Sequence, residues 1–284
     1  MQIYNDPSSY DAMKNKKQLD DNYKPYQLII FFLVGWLGFQ LLGLIIELVF
    51  ELIFKENFID PETKYVNPLI NSFFTLVTYL LLAGILVSLL YFFNPSAFKK
   101  IVKNFGTKET YLAAIMFFAI YYGLNILVNF LMLAIEKMFN IVINNSENQA
   151  ALETMIKVSP FAMIFTTCFL APICEETTYR LGLYSLLAKK NNILAFIVTV
   201  LFFTLIHLDF ISPIINNDYS TLANEALNIP GYLVGASILT FAYAKHKRLS
   251  DSILTHCFVN SFSMIFILIS SFLPQSQTVL INII

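Results

Sequence analysis

The stretch Phe161-Ala-Met-Ile-Phe-Thr-Thr-Cys-Phe-Leu-Ala-Pro-Ile-Cys-Glu-Glu-Thr-Thr-Tyr-Arg180 decides how this chain is read. Most of it is apolar enough for a bilayer interior, yet it ends in Glu175, Glu176 and Arg180. One ionisable group at bilayer depth costs about 3 kcal/mol even on the lenient insertion scale. Two adjacent carboxylates and a guanidinium therefore face a protein interior or a wet cavity rather than lipid. The expectation is an integral membrane protein with a buried acidic site suited to hydrolysis.

The rest of the composition agrees. The 284 residues are 57% hydrophobic and only 13% charged, with a mean hydropathy of +0.66. Soluble domains are nearer a quarter charged, so the expected fold class is all-α, a polytopic integral membrane helical bundle of about seven to eight transmembrane helices. A net charge of −1 gives no attraction for nucleic acid. Cys168, Cys174 and Cys257 all fall in apolar segments, which argues against a disulfide framework, and no CxxC metal spacing occurs. Met1 to Lys24 carries charges too far along to form a secretory signal, so the first apolar segment is expected to be retained.

Seven segments have a length near the ~20 residues that cross a bilayer. They are Tyr26–Leu48, Leu69–Phe93, Tyr111–Ile135, Pro160–Leu187, Ile193–Leu208, Ile229–Ala244 and Ser252–Leu273. Glu47 to Phe54 reads as interfacial, and an eighth helix fits the amphipathic stretch Glu147–Lys157. With the N-terminus in the cytoplasm, thirteen basic residues fall on the cytoplasmic side and four, Lys55, Lys64, Lys137 and Lys157, on the other. That bias sets the orientation. The organisation expected is a cytoplasmic tail over 1–25, N-terminal transmembrane helices over 26–158 and a catalytic transmembrane region over 159–284. The abundance of Ile, Phe, Asn and Lys points to an AT-rich bacterial genome and hence to a bacterial cytoplasmic membrane.

Three polar pairs stand in the C-terminal spans. Glu176 and Arg180 are spaced i,i+4 on one helical face, with Glu175 turned about 100° away. Arg180 then pairs with Glu176, and Glu175 is left to face a cavity. Alternatively, all three form a structural ion cluster. His207 follows Phe203 by one turn, and His256 precedes Asn260 by one turn. Each histidine alone suits an ordinary polar contact between helices. His246, among Lys245, Lys247 and Arg248, reads as a solvated loop residue. Together the pairs suit peptide hydrolysis. A partly desolvated carboxylate can take a proton from water. A histidine can orient that water or bind a metal. Amide or imidazolium donors can meet an oxyanion. HExxH, GxSxG, Walker and GxGxxG patterns are absent.

In order along the chain, Glu175-Glu176-Thr-Thr-Tyr-Arg180, Phe203-Thr-Leu-Ile-His207 and His256-Cys-Phe-Val-Asn260 resemble the EExxxR, FxxxH and HxxxN motifs of the CPBP family, the CAAX proteases and bacteriocin-processing (Abi) enzymes. The resemblance covers about Pro160 to Leu273. It implies a bundle of roughly eight membrane helices with the site in a cavity. It casts Glu175 as general base, His207 as a water-positioning or metal-binding group, and His256 with Asn260 as the oxyanion site. Glu176 and Arg180 would support them. A Zn²⁺ held by Glu175, His207 and His256 and a metal-free glutamate mechanism are both compatible with it. Two positions depart from the family habit: Leu181 separates Arg180 from Gly182, and Tyr179 stands where Phe is common.

The implied activity is an intramembrane endopeptidase acting on a membrane-associated peptide or protein, with lipid bilayer and substrate as partners and no oligomeric state specified. The alternatives are a non-catalytic immunity or scaffold protein that binds another membrane protein, and a proton-coupled carrier using Glu175 and Glu176. Straight helices with these boundaries do not align the site. Glu175 would lie ~18 Å and His207 ~21 Å from the cytoplasmic ends of their spans, but His256 only about 6–9 Å. Tilt, a seventh helix starting near Lys247, or a re-entrant 209–228 segment capping the cavity would close the gap.

Overall fold

The computed structural model describes residues 23–61 and 65–272. In chain order the helices are α1 (Pro25–Phe54), α2 (Pro68–Phe93), α3 (Pro95–Asn104), α4 (Lys108–Phe139), α5 (Glu147–Val158), α6 (160–188), α7 (Asn192–Leu205), α8 (Ile211–Ile215), α9 (Tyr219–His246) and α10 (Leu249–Phe272). Among the described residues the only extended pairing is an isolated bridge between Ile59 and Val66. Residues 1–22 of the expected tail and residues 273–284 lie outside the described residues.

Local chemistry sets the boundaries. Pro25, Pro68, Pro95 and Pro160 occupy the first helical position, where the missing N–H costs nothing. Asn67, Asn94, Ser146, Asn191 and Asp218 cap α2, α3, α5, α7 and α9 by accepting from backbone N–H groups of the first turn. Asn140 and Lys247 adopt left-handed backbone, with φ of 51° and 52°, and end α4 and α9.

The chain is a polytopic all-α membrane protein. Helices α1, α2, α4, α9 and α10 are long and apolar enough to cross a bilayer. Leu33, Leu37, Leu41, Leu44 and Leu48 of α1 are exposed, a belt that lipid covers without cost. The other two expected spans differ from plain rods. At 14 residues α7 is ~21 Å long, short of the ~30 Å hydrocarbon core. Helix α6 is continuous but winds as π-helix over Thr166–Leu170 and again over Glu176–Tyr184. Every residue of the second π segment is buried, packed among α1, α7, α9 and α10.

The amphipathic stretch near Glu147 is indeed helical, as α5. Helix α3 escaped the sequence reading because its lysines masked its two buried residues, Ala97 and Ile101. The 209–228 segment is mostly helical: α8 and the first ten residues of α9 occupy most of it. The span expected from Ile229 begins earlier, at Tyr219, and its helix runs through Pro230. An interior proline removes one ladder bond but need not end a helix that neighbours hold.

Two glycines let α1 lie against the π segment of α6. A Cβ on Gly35 would overlap the Thr178 side chain, and one on Gly182 would stand 2.8 Å from the backbone nitrogen of Phe32. Leu181, which displaces the glycine by one position from the family habit, is fully buried in the core. A side chain can swing aside but backbone cannot. Gly182→Ala is therefore expected to destabilise the protein by about 1–3 kcal/mol, read as a lower detergent melting temperature. Gly84→Ala, where an added methyl meets nothing within 4 Å, serves as the neutral control.

The misalignment of His256 resolves at the α9–α10 turn. Helix α10 begins at Leu249, and Leu249, Ser250, Asp251 and Ser252 are all fully buried. The helix thus starts inside the bundle, with α3 packed on it, and His256 lies deeper than a surface-level start would place it. The anchor is Asp251, which sequence reading passed over. It accepts from Thr110 of α4 at 2.9 Å and from the Nε and Nη2 of Arg248 at 2.9 and 2.8 Å. His246 Nδ1 lies 2.8 Å from the same carboxylate, so His246 is solvent-exposed as expected but sits in the last turn of α9 rather than in a loop and has a structural partner.

Candidate active site

Glu176 and Arg180 lie on the fully buried side of α6, with Nη1 and Oε1 3.0 Å apart. The guanidinium sits 4.1 Å from the centre of the Phe203 ring. An aromatic face and a carboxylate are what make a buried guanidinium tolerable. The same Oε1 of Glu176 meets His256 Nδ1 at 2.9 Å. Glu175, one position back, faces the other way, and its carboxylate lines a cavity of about 510 Å³ that His207, His256 and Asn260 also line.

Both imidazoles aim at Glu175. His207 Nε2 and His256 Nε2 each lie 3.9 Å from Glu175 Oε2. On the opposite ring edges, His207 Nδ1 is 2.7 Å from the carbonyl oxygen of Phe203 and His256 Nδ1 contacts the Glu176 carboxylate. A carbonyl only accepts, so His207 carries its hydrogen on Nδ1. The carboxylate paired with Arg180 accepts in the same way from His256. In the neutral rings both Nε2 lone pairs then point at a carboxylate oxygen. Such an arrangement calls for a donor or a cation between them. At 3.9 Å the groups are too far apart for a direct hydrogen bond and suitably spaced to share one small polar species.

Glu175 Oε1 takes a hydrogen bond from Tyr79 of α2 at 3.2 Å. This contact was missed, because one tyrosine in an apolar span gives no signal distinguishing it from packing. His207 is further held between the Phe203 ring, with centroids 4.5 Å apart, and the Tyr232 ring at 5.6 Å. The backbone after it is pinned by Glu225, fully buried in α9. Glu225 accepts from Asp209 N at 3.0 Å and from Glu147 N, at the start of α5, at 2.7 Å.

Asn260 has a backbone task as well. In the first π turn of α6, Ala171 N–H bonds to Thr166 O. The carbonyl of Thr167 would next take the N–H of residue 172, which is proline and has none. Asn260 Nδ2 fills that place at 2.8 Å. One amide hydrogen of Asn260 is thus committed to holding α10 against α6, and the other remains for the cavity.

As a metal set, Glu175, His207 and His256 have the right donors, with each imidazole oriented by a bond from its second nitrogen. The 3.9 Å separations exceed the roughly 3.4 Å edge of a tetrahedron with ligands at about 2.1 Å. Among the described residues no group of three His, Cys, Asp or Glu side chains is arranged to enclose an ion. The cysteines are free thiols, two of them buried.

The fold and the site define a polytopic helical membrane protein with a carboxylate–imidazole cluster in a cavity among its helices. Residues 157–262 match the family described as Rce1-like, type II CAAX prenyl endopeptidase Rce1-like. The CAAX-protease resemblance read from the three motifs therefore holds across the segment that contains them. The chain is 33% identical over 116 residues to the UPF0177 protein YaiH of Lactococcus lactis subsp. lactis, covering 41% of this chain and 42% of that protein. It is 27% identical over 143 residues to the UPF0177 protein YvdC of the same organism, covering 49% of each. An uncharacterized protein of Mycoplasma capricolum is 27% identical over 139 residues, or 46% of this chain and 37% of the relative. The chain thus spans less than half the length of these curated relatives. No solved structure matches it.

Proposed function

We propose that this protein is an intramembrane endopeptidase of a bacterial cytoplasmic membrane, with its N-terminus in the cytoplasm, that hydrolyses a peptide bond with water activated by Glu175. One observation carries the reading: Glu175 Oε2 faces two Nε2 atoms at equal 3.9 Å distances on the wall of a cavity large enough for an extended peptide. The bacterial relatives and the thirteen-to-four distribution of basic residues support the location and orientation.

In the proposed reaction a water between Glu175 and the imidazoles gives its proton to the carboxylate and attacks the scissile carbonyl carbon. His207, with Nδ1–H fixed on Phe203 O, accepts from that water and orients it. His256 lies between the Glu176 and Glu175 carboxylates, bonded to the first at 2.9 Å and 3.9 Å from the second. As imidazolium it donates from Nε2 to the developing oxyanion beside the second amide hydrogen of Asn260. Glu175 then returns the proton to the departing amine. A Zn²⁺, if bound, would be held by Glu175, His207 and His256 and would supply Lewis-acid polarisation.

The test is the purified chain in lipid vesicles with a panel of bilayer-associated peptides, products read as new termini by mass spectrometry. Wild type is expected to release products, and His207→Ala to lose about 10²-fold with an unchanged melting temperature. Equal biological output from Glu175→Ala, His207→Ala and His256→Ala would instead assign a non-catalytic immunity or scaffold role. Chelator is expected to leave turnover intact. Loss in chelator with recovery on added zinc would assign the metal mechanism.

A further inference from the structure

The cavity reaches from the catalytic cluster toward one end of the bundle only. Its rim is built from the C-terminal half of α4, the start of α5 and the α5-facing part of α9, at the end of the molecule where α2 begins and α4 finishes. The opposite end carries the basic residues. Ten of the described lysines and arginines, Lys24 through Arg248, lie at that end, and three, Lys55, Lys137 and Lys157, lie at the cavity end. Chain direction alone fixes this placement, because successive spans alternate.

The rim has its own chemistry. Asn125, Asn129, Asn145, Asn148, Gln149 and Asn228 all line the cavity. Several amide nitrogens are spent on protein acceptors: Asn145 and Gln149 on Glu153 Oε1 at 2.9 and 3.1 Å, Asn228 on the Asn144 and Asn224 carbonyls at 3.0 and 2.9 Å. These bonds fix the amides in place. Among the described lining residues the ionisable ones are Glu175, the two histidines and tyrosines, with no lysine or arginine. A carboxylate entering this space would be desolvated beside Glu175 with no lysine or arginine to pair it, at a cost of several kcal/mol. Extended backbone carries a neutral donor and acceptor at every residue, and the rim amides offer it carbonyl oxygens and those amide hydrogens not already spent on the protein.

We infer that the cavity takes an extended stretch of polypeptide free of acidic side chains that reaches it from the non-cytoplasmic side of the membrane, its backbone held by the rim amides. The inference rests on the endopeptidase reading for its purpose and on the orientation for its sidedness. Its test requires no cleavage. Asn148→Cys, at the exposed rim, is labelled in intact cells with a membrane-impermeant maleimide, against Lys100→Cys at the basic end and the unsubstituted chain as background. Asn148→Cys is expected to react in intact cells, and Lys100→Cys only after permeabilisation. The reverse order overturns the proposal. In proteoliposomes, a short acetylated and amidated peptide of Ala, Ser, Val and Tyr is expected to slow labelling of Asn148→Cys. The same peptide with a central Asp, or with a free C-terminal carboxylate, should need roughly tenfold more for equal protection, from the cost of burying an uncompensated negative charge. Equal protection by the charged peptides, or protection by none, overturns the proposal. Repeating the protection with Glu175→Gln present separates the two readings. If protection persists while the wild-type chain cleaves nothing, the endopeptidase reading fails and the peptide-receptor inference stands.

Discussion

Glu175→Gln is expected to lower peptide release by about 10²–10⁴-fold, the range for loss of a positioned general base. The amide keeps the shape of the carboxylate. Its oxygen can still accept from Tyr79, whose hydroxyl lies 3.2 Å from Oε1, so the contact between α2 and α6 survives. The side chain also lines a cavity rather than the core, which leaves little packing to lose. The melting temperature should therefore match wild type, and product formation alone should fall. A variant with unchanged turnover would remove Glu175 from the reaction. A variant that fails to fold would show that its charge is structural.

Arg180→Met should give the opposite signature, a loss of folded protein. Arg180 and Glu176 are both fully buried and 3.0 Å apart, in a segment with no access to the cavity. Removing the guanidinium leaves a buried carboxylate with His256 and Ser252 as its remaining partners and no fixed positive charge. Breaking such a pair costs about 3–5 kcal/mol, whereas replacing both members can be nearly neutral. Thermal unfolding in detergent should show a large drop for Arg180→Met and recovery of most of it in Glu176→Gln/Arg180→Met. The double variant should still be catalytically weak, because His256 Nδ1 loses its ionised partner. A single variant that melts like wild type would mean that the pair contributes nothing to the fold.

Much of this arrangement can be read from the residues. The i,i+4 spacing puts Arg180 against Glu176 and adjacent Glu175 on a different face, a result that survives the wider π winding because four residues remain close to one turn. The long apolar runs mark their spans because lipid-facing surface must be apolar. What stays hidden depends on tertiary context. The π turns of α6 leave no pattern in composition, and the Thr167 carbonyl that Asn260 serves is orphaned only once that winding is known. The sunken start of α10 depends on Asp251 being surrounded by Thr110, His246 and Arg248, three residues that look like ordinary loop and helix-end chemistry one at a time. Glu225 and Tyr79 are likewise single polar groups whose partners lie 78 and 96 residues away. Periodicity reports which face a residue occupies but carries no information about what that face meets.

Whether Glu175 and the two imidazoles act as one unit is measured most directly by a double-variant cycle on peptide release: wild type, Glu175→Gln, His256→Ala and the pair together. Groups that share one water are strongly non-additive. The double variant is expected to be no slower than the worse of the two singles. Losses that multiply, so that the double variant falls by the product of the separate effects, would show that these side chains work independently and contradict the shared site.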